Sequence, residues 1–137
     1  MLDEIPASTQ ERWFARGYLL MPAMVATLSA FWIASGIIGV LDVERAARTI
    51  PPGAVPEGMS NMLVIAGAVV DVALGVAILF RPVARLACLG MVATSVVYLA
   101  AGTLLTPHLW LDPLGPFVKV VPAIMLAAAT AALLEER

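Results

Sequence analysis

Asp71 stands alone among the apolar residues from Met62 to Phe80, with Gly67 and Gly75 four positions to either side of it. A charged side chain at the centre of a membrane helix costs at least about 2.5–3.5 kcal/mol on insertion scales. Such a carboxyl must face the interior of a bundle, be paired, or carry a proton. It is therefore either a clasp that holds helices together or the polar anchor of a site that binds a ligand or a proton. Its candidate companions are Tyr98, Thr94 and Trp32. Thr94 and Tyr98 share a spacing of four with Gly90 and Gly102, and Ser95 lies beside them. Trp32 precedes Ser35, Gly36 and Gly39 by about one turn. Stripes of small and weakly polar residues are the usual surface by which membrane helices pack, and they can also line a narrow polar pocket.

A second polar group sits in the stretch LWLDPLGPFVKVVP, which carries Trp110, Asp112 and Lys119. Asp112 is placed to cap the following helix or to pair with Lys119. Pro113 and Pro116 stiffen the approach, Gly115 lets the backbone turn tightly, and Trp110 is suited to a membrane–water interface. Lys119 lies about 8–9 Å from the level of Asp71 along a helix axis. It either snorkels to the headgroups or points inward toward that carboxyl.

The elements that must position these residues follow from composition. Of the 137 residues, 61% are hydrophobic and 13% charged, too few polar groups to cover a water-facing surface. Four apolar runs, about 17–41, 62–80, 86–105 and 117–134, each reach the roughly 17–25 residues that cross a hydrocarbon core of about 30 Å. Backbone groups in lipid must be satisfied within their own segment, so each run is expected to be helical. The fold class is all-α, a single transmembrane four-helix bundle over residues 1–137. Residues 8–16 are expected to form a short surface helix with Trp13 and Phe14 at the headgroups. Residues 42–61 and 106–116 form the loops of the opposite side, the first opening with a helical turn capped by Asp42 and stopped by Pro51 and Pro52. The first run is too long, and its lead too mixed in charge, for a cleaved signal peptide. Arg12, Arg16, Arg81, Arg85 and Arg137 fall on one side, against Arg45 and Arg48 on the other, which predicts cytoplasmic termini in a bacterial-type inner membrane.

Several chemistries are excluded. One cysteine, Cys88, supplies no dithiol within the chain. His108 is the single histidine, so paired histidine ligation of haem is out, and no metal-ligand spacing accompanies it. A net charge of −2 without a basic cluster argues against nucleic acid. No phosphate loop or nucleophile–base set occurs, and the chain is not expected to catalyse a reaction on its own.

The Asp-Pro-x-Gly-Pro-x-x-Lys core from Asp112 to Lys119, continued by VVPAIMLAAATAALLEER, resembles the closing signature of the DoxX-like family of small four-span membrane proteins. FWIASGIIGV in the first run, DVALGVAILF in the second and Tyr98 in the third agree with it in order and spacing. The resemblance implies a compact four-helix membrane fold and a link to redox biology, since the name-giving branch belongs to an enzyme that passes electrons from thiosulfate to quinone. It implies a quinone as cofactor and an oxidoreductase as partner protein, besides the lipid bilayer itself. Asp71 would be the interior anchor, Trp32, Thr94 and Tyr98 the pocket walls, and Asp112 with Lys119, beside Trp110, an outer gate. Two readings stand at this point: a quinone- or redox-associated accessory subunit, and a non-catalytic scaffold that recruits a partner. Transport of a solute or proton would require a homo-oligomer to make room for a path.

Overall fold

The computed structural model describes residues 8–56, 58–113 and 115–135; Arg137, used above for orientation, lies outside them. The elements are α1 (Thr9–Leu41), α2 (Val43–Ala47), α3 (Met59–Ala77), α4 (Arg81–Leu105), a 3-10 helix (Pro107–Leu111) and α5 (Pro116–Glu135). Four of them, α1, α3, α4 and α5, are long and apolar enough to cross a membrane. The protein is an all-α transmembrane bundle.

The expected surface helix and first span are one continuous helix. At its start Ser8 Oγ accepts from the Glu11 N–H (3.2 Å) and Glu11 Oε2 accepts from the Ser8 N–H (2.6 Å). This reciprocal cap satisfies two amides that a helix start leaves open, a contribution of about 1 kcal/mol. With 33 residues, α1 is about 50 Å long at 1.5 Å per residue. Its first turns thus extend beyond the hydrocarbon, and Trp13 and Phe14 are exposed there. Asp42 caps α2 as expected, accepting from the Arg45 N–H at 3.1 Å. α4 begins at Arg81, five positions ahead of the apolar run, because Pro82 suits a first helical turn and the arginines reach the headgroups. The 3-10 helix was not anticipated.

α1 packs along α3, and α4 along α5. The first pair is close because two glycines permit it. A Cβ on Gly36 would sit 2.6 Å from the Ala68 carbonyl oxygen, and one on Gly75 would sit 2.9 Å from the Ile33 amide nitrogen. Next to Gly75, the Ser29 hydroxyl donates to the Gly75 carbonyl at 2.7 Å across the interface. Backbone approach of this kind gives membrane helices dispersion contact where lipid offers no hydrophobic drive.

The two pairs join at the end that carries the α3–α4 turn. Leu28, Trp32, Ile78, Ala87, Cys88, Met91, Ala127 and Ala131 form a buried cluster there, drawn from α1, α4 and α5 and from Ile78, which ends α3. Cys88 is fully buried and acts as a small apolar filler. The other end, under α2 and the 3-10 helix, is not filled.

Gly75→Ala is expected to lower stability in detergent by about 1–3 kcal/mol, since the Ile33 and Ser29 backbone must move. Gly67→Ala, whose Cβ meets nothing within 4 Å, is expected to leave the thermal midpoint nearly unchanged. Thermal unfolding of the two purified variants checks the contrast.

Candidate functional site

The unfilled end holds a cavity of about 720 Å³. Phe31, Trp32, Ser35 and Gly39 of α1, Leu63, Gly67, Ala68 and Asp71 of α3, Thr94, Ser95, Tyr98 and Gly102 of α4, and Phe117 and Val120 of α5 form its walls. Thr49, Ile50, Pro51 and Val55 of the long loop and Leu109 of the 3-10 helix close over it. Asp71 is the one carboxylate among the described lining residues, and no basic side chain lines it. A concave, mostly apolar space with a few convergent polar groups, within about 300–1,000 Å³, is the usual form of a small-molecule site.

Asp71 is half-buried at the α1–α3 seam. Ser35 Oγ donates to Asp71 Oδ2 at 2.8 Å, and Ser35 is its one hydrogen-bond partner among the described residues. The close approach at Gly36 brings this pair together, since Gly36 lies next to Ser35 and its Cβ would stand 3.2 Å from Asp71 Cβ. The clasp therefore runs to Ser35 rather than to Tyr98, Thr94 or Trp32. The clasp uses Oδ2.

Trp32, Thr94 and Tyr98 line the cavity. Trp32 is buried, its ring edge-to-face with Phe31 at 6.5 Å between centroids. Its indole N–H has no hydrogen-bond acceptor among the described residues, a condition that costs about 1–3 kcal/mol for a buried donor. Tyr98 is half-exposed at the wall, edge-to-face with Phe117 at 5.6 Å.

Lys119, Asp112 and Trp110 do not line the cavity. Lys119 is exposed on α5. The Asp112 carbonyl accepts from the Gly115 N–H at 2.8 Å, and Gly115 takes a φ of +56°, so this segment is a tight turn into α5. Trp110 donates from Nε1 to Thr103 Oγ1 at 3.0 Å and packs edge-to-face on Phe117 at 5.5 Å. Phe117, rather than Asp112 or Lys119, lines the cavity at this end of α5. That ring is almost fully buried between Tyr98 and Trp110 and lies over Gly102, where a Cβ would strike it. Phe117 and Ser35 were missed as site residues. Their signals were Gly102 in the α4 stripe, which leaves room for a ring, and the position of Ser35 in the α1 stripe.

With this arrangement in view, a family model described as the DoxX-like family matches residues 29–128. The chain belongs to the DoxX-like family. The match takes in the whole cavity lining, from Phe31 to Val120. No curated protein and no solved structure matches this DoxX-like chain.

A double-mutant cycle of Ser35→Ala and Asp71→Asn is expected to give a coupling of about 0.6–1.7 kcal/mol, the range measured for hydrogen bonds between membrane helices. Additive single effects in thermal unfolding would show that the clasp carries no energy.

Proposed function

We propose that this integral membrane protein is a quinone-binding, redox-associated accessory subunit whose cavity holds the head of a bilayer-resident amphiphile. The observation that carries the reading is the Asp71–Ser35 pair at the wall of an otherwise apolar cavity of about 720 Å³. A filled bundle needs no such space, and an empty one forfeits packing energy. A quinone fits the donor set. Its apolar ring and tail suit the walls made by Phe31, Leu63, Val64 and Val120. Its carbonyl oxygens suit hydroxyl donors such as Tyr98 and Ser95, and the unused Trp32 N–H lies at the same wall. Bound there, a quinone would supply electron and proton acceptance that no side chain of this protein offers. The protein's own part is to seat the head, keep bulk water from it, and present the Asp71 carboxyl beside it.

The electron donor in this reading is a partner oxidoreductase. The α3–α4 turn, with Arg81 and Arg85, is the cytoplasmic end of a bacterial-type inner membrane protein, since Arg12 and Arg16 lie at the same end. Both termini then lie on that side.

Purification in a mild detergent, followed by organic extraction and mass spectrometry, tests the assignment. A near-stoichiometric quinone is expected from the native protein. Under reducing conditions Asp71→Asn should lower its occupancy by about ten-fold or more, the size of a lost hydrogen bond from a quinol hydroxyl to a charged carboxylate. Bulk phospholipid alone, in native protein and variant alike, would reject the quinone reading and favour a scaffold that recruits a partner.

A further inference from the structure

A second hollow, of about 270 Å³, lies at the turn end, remote from Asp71. Tyr18, Pro22 and Val25 of α1 form one side, Leu79 and Arg81 at the α3–α4 turn another, and Leu134 of α5 the third. It is independent of the cavity described above. A groove between helices that face a bilayer fills with acyl chains rather than water, so the open question is which lipid it selects. Its wall is apolar apart from Tyr18 and Arg81, and Arg81 is the one charged side chain among the described lining residues. Arg81 is exposed and is the first residue of α4, directly after the turn that ends α3. The guanidinium therefore stands at the end of two spans, at the depth of lipid phosphates. Tyr18 is at the same level on α1, where aromatic residues with a polar tip settle.

A guanidinium fork matches a phosphate oxygen pair. Choline or ethanolamine headgroups would bring a cation as well, and no acidic side chain among the described lining residues can receive it. We infer that this groove is a binding site for an anionic phospholipid, with one acyl chain against Pro22, Val25 and Leu134 and the phosphate on Arg81. Basic grooves between membrane helices select anionic headgroups by the same physics.

The test reconstitutes the full chain in nanodiscs of equal phosphatidylglycerol and phosphatidylcholine, extracts it gently, and weighs the retained lipids by native mass spectrometry. Phosphatidylglycerol should be enriched in the native protein, and Arg81→Gln should cut that enrichment about five-fold. Arg81→Lys, which keeps the charge, should retain much of it, as should Arg48→Gln at the other end of the bundle. Equal retention of the two lipids, or enrichment that survives Arg81→Gln, overturns the inference. Release of the lipid by millimolar inorganic phosphate overturns it too, because the site would then take a free anion.

Discussion

The close contact of α1 with α3 at Gly36 and Gly75 is the constraint on which the rest of this protein rests. Lipid tails are as apolar as leucine, so two helices gain little by hiding apolar faces from them. What they gain is dispersion contact and interhelical hydrogen bonds, and both require backbones to approach within the width of a side chain. Gly36 against the Ala68 carbonyl and Gly75 against the Ile33 amide provide that approach. Ser29 and Ser35 then lie near enough to bond across the seam, one to the Gly75 carbonyl and one to the Asp71 carboxyl. A carboxyl that would be costly in lipid is thereby turned to the interior and held.

From that seam the division of the bundle follows. Alanines, Cys88 and Met91 let the α1–α3 and α4–α5 pairs close around Leu28 and Trp32 at the turn end. Toward the loops the lining includes Gly67, Ser35 and Thr94, small side chains that leave space between the helices. The cavity is the space they leave. Phe117, held edge-on by Tyr98 and Trp110, covers its α4–α5 side. The tight turn from Asp112 to Gly115 sets where α5 begins, and so where that ring falls. The signature around Asp112 and Lys119 thus positions an aromatic plug, with neither of the two charges in the lining.

Much of this was legible in the sequence, for a physical reason. Span length and the insertion cost of charge are strong constraints, so four helices, an inward Asp71 and the Asp42 cap could be read from residue types alone. Trp32, Thr94 and Tyr98 were placed on the cavity by their spacing from glycines. Less legible was anything that depends on which apolar face meets which. Helices that are apolar all round carry almost no amphipathic signal, because their outer faces touch lipid. Ser35 could not be matched to Asp71 without the register that Gly36 fixes. The starts of α1 and α4 lie ahead of the apolar runs because hydropathy stops at Arg16 and Arg85, whereas helical hydrogen bonding continues through residues that lie in the headgroups.

The claim at the centre is that the cavity beside Asp71 binds a quinone head. Trp32 lies in its wall, so its fluorescence can report occupancy once Trp13 and Trp110 are replaced by phenylalanine. Titrating that variant in nanodiscs with a short-tailed quinone in its reduced, hydroxyl-bearing form should give saturable quenching at one equivalent, and adding Asp71→Asn should shift the midpoint about ten-fold or more upward. Linear, unsaturable quenching that is the same with and without the Asp71 carboxylate would contradict the claim.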